Sequence, residues 1–84
     1  MTQGGGVAKT VEGSVLEVME SWPLQLTMQT QEGRYHVELL AETVVSRGGE
    51  KVEPGAIKPG VRVRIEGEGS GPNSLTARAV RILL

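Results

Sequence analysis

The stretch GVRVRIEGEG, residues 60–69, alternates apolar and charged side chains and then ends in glycine-rich sequence. Val61, Val63 and Ile65 share one face of an extended chain, and Arg62 and Arg64 share the other, because strand side chains alternate between two faces. This period of two predicts a β-strand with one face in a core and the other in solvent. The stretch therefore favours an all-β domain and raises the question of whether its two arginines bind a ligand.

Four further segments show a similar alternation. In chain order they are 11–18, 23–30, 34–40 and 75–83. The first has a one-residue slip between Val15 and Leu16, just after Gly13, which predicts a long strand with a bulge or bend. The last has a slip near Val80, which keeps Ile82 on the core face. The sequence therefore predicts five strands, of which the first is long and bulged and the last is irregular.

The connections between these strands are rich in glycine and proline. A hairpin turn is expected at 31–33, where Gly33 suits a positive φ angle. Residues 42–60 read as irregular, with a brief pairing at 43–45, a turn at 48–49 and at most one helical turn around 56–57. Residues 67–74 read as a flexible loop. This order predicts a five-stranded OB-like Greek-key barrel with a very short or absent helix between its third and fourth strands; the alternative is an SH3-like barrel.

Length and composition limit what the chain can do. Its 84 residues are enough for one domain, with residues 1–8 expected to be disordered and 9–84 to form the barrel. There is no cysteine, which excludes disulfides, a thiolate nucleophile and thiolate metal sites. The formal net charge of −1 argues against strong unspecific attraction to nucleic acid or to an anionic membrane.

The glycines and apolar positions follow a pattern that resembles a bacterial domain family of unknown function with a small OB-like barrel. The matching segments are Gly13-Ser14-Val15, Thr43, residues 57–67 and Ala79-Val80-Arg81-Ile82, with the spacing from Gly60 to the strand one residue shorter than in the family pattern. The resemblance covers residues 11–83. It implies the barrel architecture and often a secreted or lipoprotein-attached location, but no activity and no functional residues.

The residues needed for catalysis or for metal binding are scarce. His36 is the only imidazole and lies on the polar face of its predicted strand, where a solvated histidine is the ordinary occupant. One histidine without cysteine does not match the usual zinc-site patterns. Residues 4–10, GGGVAKT, end like a phosphate-binding loop but lack the glycine before the lysine and a following helix. The sequence therefore predicts no enzyme, no catalytic residue, no metal and no cofactor.

OB-like barrels bind ligands over strands two and three and the adjoining loops. The candidate residues are those that face outward on these strands, the arginines of neighbouring strands and one tryptophan in the first loop: Trp22, Gln25, Thr27, Gln29, Arg34, His36, Arg62, Arg64 and Arg78. Single-stranded nucleic acid is one ligand that fits, with a base stacked on Trp22. However, Tyr35 is expected to point inward, and glutamates interleave with the arginines.

The expected function is consequently that of a non-enzymatic interaction or scaffold module with a protein partner, and a weak single-strand nucleic-acid binder is the alternative. A protein-binding module should expose an apolar patch, with Leu40 or Val44 as candidates. No stretch approaches the length of a membrane span, so no membrane partner is expected. The N-terminal MTQGGGVAKT lacks a secretory pattern, which predicts a cytoplasmic protein, or a secreted or periplasmic one if a signal segment has been removed.

Overall fold

Six β-strands and one turn of 3-10 helix form the part of the chain that this computed structural model describes, residues 7–21 and 23–83. In chain order they are β1 (Ala8–Met19), β2 (Gln25–Thr30), β3 (Gly33–Arg47), β4 (Glu50–Lys51), the 3-10 turn (Pro54–Ala56), β5 (Arg62–Gly71) and β6 (Ser74–Leu83). Strands β1, β2, β3, β5 and β6 are the five that the sequence predicts. Of the segment 1–8 that was expected to be disordered, residues 1–6 lie outside the described part, and Ala8 already belongs to β1.

The five long strands close into a barrel. They are hydrogen-bonded in the order β2-β1-β5-β6-β3, and β3 pairs back to β2. All these pairs are antiparallel except β3 with β6, which are parallel. The parallel pair is the crossover of a Greek key, so the prediction of a five-stranded OB-like barrel is confirmed. The short β4 is added outside the barrel, on the edge of β3.

The core follows from the alternation read in the sequence. Every second residue of each long strand points inward, and the inward rows meet in one apolar cluster. The largest of its fully buried side chains are Leu26, Met28, Ile65, Leu75, Val15, Val37, Val45, Val63 and Val80. Each fully buried side chain of this kind contributes about 1.5–3 kcal/mol relative to exposure. Within the described residues no buried side chain is polar or charged, so the hydrophobic effect alone accounts for the core.

The predicted bulge in the first strand is confirmed. Val15 pairs with Met28 and Glu17 pairs with Thr27, which leaves Leu16 as the extra residue. Gly13 lies just before it, where β1 passes close to β2. A Cβ atom at Gly13 would overlap the carbonyl oxygen of Gln29 and lie 2.8 Å from its carbonyl carbon. Only glycine lets the two backbones come this close, so Gly13 allows β1 to bend from one neighbour to the other.

The third strand is longer than the sequence predicts. The pairing expected at 43–45 is found for Val44 and Val45, but it is part of a longer strand: residues 42–47, interpreted as mostly irregular, continue β3 beside β6. The register with β6 shifts between Leu39 and Val44, and this irregularity interrupts the period of two. The Thr43 hydroxyl bridges it: it accepts a hydrogen bond from the Leu40 N–H at 2.7 Å and donates one to the Ala77 carbonyl at 2.7 Å. The turn at 48–49 is confirmed, and the one helical turn spans Pro54–Ala56.

The hairpin between β5 and β6 is tighter than predicted. Residues 67–74 were expected to form a flexible loop, but β5 runs to Gly71 and β6 begins at Ser74, so only a two-residue turn remains. A Cβ atom at Gly67 would overlap the carbonyl oxygen of Thr76, so this glycine permits close strand contact rather than a loop. The slip predicted near Val80 occurs opposite the Glu66/Gly67 step, with Arg78 as the extra residue.

Candidate ligand face

Five of the predicted ligand-binding residues lie side by side on the outside of β2 and β3. The register pairs Thr27 with His36 and Gln29 with Arg34, while Gln25 pairs with Glu38. We call these outward side chains the strand 2–3 face: Gln25, Thr27, Gln29, Arg34, His36 and Glu38. The structure thus brings together the part of the predicted site that depends only on the β2–β3 hairpin.

The strand 2–3 face is polar and nearly neutral. Arg34 is exposed and has no carboxylate within ion-pair distance among the described residues. Glu38 lies on the same side of β3, and Glu17 of β1 pairs with Thr27 at the border of the face. The Tyr35 side chain is buried, as predicted, so the face presents no aromatic ring from the described strands. Trp22, the residue chosen for base stacking, lies outside the described residues.

The turn between β5 and β6 borders this face and fixes its edge. The His36 N–H donates to the Asn73 carbonyl at 2.9 Å, and the Asn73 side-chain amide donates to the Arg34 carbonyl at 2.8 Å. Asn73 has a φ angle of 59°, in the left-handed region that asparagine tolerates better than most residues. The first residues of β3 are therefore held from the side by hydrogen bonds, and the turn forms part of the wall of the site.

Arg62 and Arg64 lie elsewhere. They face outward on β5, which β1 separates from β2 and β6 separates from β3. Both contact one carboxylate: Arg64 Nη2 lies 3.1 Å from Glu12 Oε1, and Arg62 Nη2 lies 3.5 Å from Glu12 Oε2. The two arginines of the alternating stretch thus form a solvated ion-pair cluster on β1 and β5, remote from the strand 2–3 face.

Arg78 is also paired. It is the extra residue in the β6 bulge, and its Nη2 lies 2.8 Å from Glu68 Oε2 of β5. Both side chains are largely exposed, so this pair adds little stability, about 0–1 kcal/mol. It does reduce the positive field around Arg78. Of the four arginines predicted to contact a ligand, only Arg34 lies on the strand 2–3 face.

Two exposed apolar side chains border the same face, Leu40 and Met19. Leu40 and Val44, the two candidates named from the sequence, are 41% and 44% exposed. Val44, however, lies beside Ala79 in a groove shared with Arg64, away from this face. Met19 is 51% exposed and pairs with Gln25, at the end of the face where β1 leads into the first loop. Leu40 follows Glu38 by two residues on the outward side of β3. Sequence reasoning missed Met19 because it counted the apolar residues of β1 only as far as Val18.

A second group of contacting side chains joins the start of β1 to the β2–β3 hairpin: Lys9, Glu32 and Tyr35. The Lys9 ammonium lies 5.0 Å from the centre of the Tyr35 ring, a cation–π distance. The Tyr35 hydroxyl in turn donates to Glu32 Oε1 at 3.1 Å. The Tyr35 side chain raises the pKa of Lys9 above its ordinary value of 10.5, because it stabilises the charged ammonium. Sequence reasoning did not select this group, since Lys9 is distant along the chain from Glu32 and Tyr35.

Other classes of site find no support in residues 7–21 and 23–83. Over these ranges, no three histidine, cysteine, aspartate or glutamate side chains are grouped so that they could hold a metal ion. The same part of the chain contains no helix with the length and apolarity required to cross a membrane. No family model matches the chain, and no curated protein matches it. The resemblance to the bacterial barrel family therefore stays a prediction.

Proposed function

We propose that this barrel is a non-enzymatic interaction module that binds a protein partner through the strand 2–3 face. The observation that carries the proposal is the pair of exposed apolar side chains at one end of that face, Met19 and Leu40. Between them lie Gln25 and Glu38, paired across β2 and β3. Apolar residues beside a polar, nearly neutral surface are typical of the contact regions between proteins.

The absence of an assembled reaction centre on this face supports the non-enzymatic part of the proposal. His36 is exposed and pairs with Thr27 on one side and Ser74 on the other. A nucleophile–histidine–carboxylate arrangement needs three groups in hydrogen-bond sequence. None of the side-chain hydrogen bonds among the described residues involves the His36 ring.

A single-strand nucleic-acid binder remains the second candidate, because OB-like barrels use the same strands for that purpose. Arg34 and His36 favour it. The pairing of Arg62 and Arg64 with Glu12, and of Arg78 with Glu68, weighs against it, since a phosphate would have to compete with these carboxylates. The buried position of Tyr35 removes one stacking platform.

Site-specific photo-crosslinking tests the protein-binding proposal. A benzophenone side chain placed at Thr27 should give a discrete crosslinked protein in cells, whereas the same group at Lys51 of β4 should not. Met19→Glu in the Thr27-labelled protein should reduce the product about tenfold, which corresponds to ~1.4 kcal/mol of binding free energy. Equal products at both positions would contradict the proposal.

A titration with labelled single-stranded DNA and RNA distinguishes the second candidate. We expect no saturable change in fluorescence anisotropy, even at low salt, where phosphate contacts are strongest. Saturable binding that weakens steeply with salt and is lost in Arg34→Ala would instead favour the nucleic-acid function. Arg64→Ala is the matched control, because Arg64 is also an exposed arginine but lies away from the strand 2–3 face.

A further inference from the structure

The first half of β1 has a strand on only one of its sides. It pairs with β5 from Ala8 to Ser14, and β1 pairs with β2 only from Gly13 onward. The two ladders therefore overlap over Gly13 and Ser14 alone. Before Gly13, a wedge opens between β1 and the turn that joins β2 to β3.

The hydrogen bonds of β1 show which backbone groups point into this wedge. The Gly69 N–H donates to the Val7 carbonyl at 2.9 Å, and the Val15 N–H donates to the Val61 carbonyl at 2.8 Å. Both residues thus direct their backbone groups toward β5. In an antiparallel strand, the backbone N–H and C=O groups of successive residues point to opposite sides. The N–H and C=O groups of Ala8, Thr10 and Glu12 therefore point away from β5 and into the wedge. Among the described residues, β2 offers them no ladder partner.

The wedge is a groove with a defined floor and wall. Its volume is about 340 Å³, and it is lined by Thr10, Val11, Glu12, Thr30, Gln31, Glu32 and Arg62. The wall is the tight β2–β3 turn, in which the Thr30 hydroxyl donates to the Gly33 carbonyl at 2.9 Å and accepts from the Glu32 N–H at 3.0 Å. These bonds turn the chain away from β1, so β2 does not extend into the groove.

The charged groups at the rim already have partners. Glu12 contacts Arg62 and Arg64, and Glu32 accepts the hydrogen bond of the Tyr35 hydroxyl. The floor is the buried side chain of Val11. What the groove offers a ligand is therefore a row of backbone donors and acceptors along β1, with Val11 at its base and polar side chains whose charges are already paired around it.

We propose that this β1 edge binds an extended, uncharged peptide segment of a partner protein as an additional strand. The backbone of the peptide pairs with Ala8, Thr10 and Glu12, and an apolar residue of the peptide faces inward opposite Val11. This is strand addition to an open sheet edge, where main-chain hydrogen bonds give affinity and alternate side chains give specificity. The site is separate from the strand 2–3 face and extends the proposed function to a second surface.

A second copy of the chain fits this edge less well than a peptide does. The turn at 30–32 lines the side of the groove that faces β1. The corresponding strand of another copy carries β5 on its other side, so it would bring a whole barrel against the turn. A segment with two free edges enters the groove without this obstruction.

The test begins with a displayed library of random heptapeptides selected against the full chain. We expect enriched peptides with apolar residues at alternate positions and few charges. On addition of such a synthetic peptide, hydrogen exchange of the Thr10 and Glu12 amides should slow about tenfold or more, while the Thr27 amide stays unchanged. If no peptide is enriched, or if the enriched peptides leave the Thr10 and Glu12 amides unprotected, the proposal is wrong.

Thr10→Pro is the variant that isolates the edge. Proline removes an N–H that the β1–β5 ladder does not use, and proline is tolerated at strand edges whose N–H faces outward. The variant should keep the wild-type circular dichroism and lose at least tenfold in peptide affinity, while Thr27→Val, on the strand 2–3 face, binds as the wild type does. Unchanged binding in Thr10→Pro would overturn the proposal.

Sedimentation of the protein without peptide tests whether a second copy of the chain, rather than a peptide, occupies the β1 edge. A dimer that protects the same two amides would show that a second copy occupies the edge, and the peptide proposal would then be wrong. A separate result shows whether the proposed binding function of the strand 2–3 face is wrong: crosslinking would then not respond to Met19→Glu. The effect of Thr10→Pro on peptide binding tests only the β1 edge.

Discussion

Substitution of Gly13 by alanine tests one of the two close backbone approaches made by glycines of the described strands, the other being at Gly67. The new Cβ would lie 2.8 Å from the carbonyl carbon of Gln29, whereas two carbon atoms pack best at about 3.5–4.0 Å. To accept it, β1 and β2 must separate by roughly 1 Å, which takes an N–H···O bond beyond its useful length. The Ser14–Gln29 pair, whose backbone groups face one another here, would lose its hydrogen bonds.

The expected cost combines two effects. Overpacking costs about 1–3 kcal/mol. Two weakened backbone hydrogen bonds cost about 1 kcal/mol each. Gly13→Ala should therefore lower the free energy of unfolding by about 3–5 kcal/mol, a large part of the roughly 4–13 kcal/mol expected for a domain of this length.

Urea denaturation followed by circular dichroism measures this effect, with Gly55→Ala as the matched control. Gly55 lies in the 3-10 turn, has no atom within 4 Å of an added Cβ and does not have a positive φ angle. Its substitution should leave stability unchanged or raise it by about 0.4–1 kcal/mol, because alanine restricts the unfolded chain. A loss below about 1 kcal/mol in Gly13→Ala would refute the close approach of β1 and β2.

Three smaller perturbations test other contacts by the same urea assay. Thr43→Val removes both hydrogen bonds of the hydroxyl and should cost about 1–3 kcal/mol, whereas Thr43→Ser should retain most of the stability. Asn73→Ala loses the bond to the Arg34 carbonyl and places alanine at a positive φ, so it should destabilise by about 1–2 kcal/mol, and more than Asn73→Gly does. A double-mutant cycle with Glu12→Gln and Arg64→Gln should give a coupling of about 0.2–1 kcal/mol that falls with added salt. Each prediction has a result that would contradict it. For the first two, it is an equal loss of stability in Thr43→Val and Thr43→Ser, or in Asn73→Ala and Asn73→Gly. For the ion pair, it is a coupling energy that does not change with salt.

The fold could be predicted wherever the alternation of side chains was unbroken. The inward rows of β2 and β5 follow directly from a period of two, and the bulge at Leu16 follows from a single slip in that period. The second half of β3 could not be predicted in the same way. Val45 is buried in the same alternation as Leu39, but Ala41, which lies between them at an inward position, is exposed where the register with β6 shifts. The Thr43 hydroxyl replaces the missing ladder bonds by donating to the carbonyl of Ala77, a residue distant in sequence.

The glycines of β5 were the other reason why the predicted strand boundaries differ from the structure. Gly67 and its neighbours suggested a loop, because glycine is common in turns. In the barrel, Gly67 instead leaves room for the carbonyl of Thr76, which belongs to a different strand. A single sequence does not distinguish these two uses of glycine. For the same reason the sequence indicated the strand 2–3 face, which one hairpin builds, but not the edge of β1, which depends on three strands.

The strand order also determines when the chain can complete its fold during synthesis. Strands β1, β2 and β3 are adjacent in sequence and can pair as they emerge, but β5 and β6 are made last among the described strands. Until both arrive, the inward row of Leu26, Met28 and Val37 has nothing to cover it. Pairing of Ala8 with Glu68 then closes residues 8–68 into one loop, and such a long-range contact favours slow folding. A released chain that ends at Gly60 would therefore expose an apolar, three-stranded sheet to aggregation, so the first three strands depend on β5 and β6 for their cover.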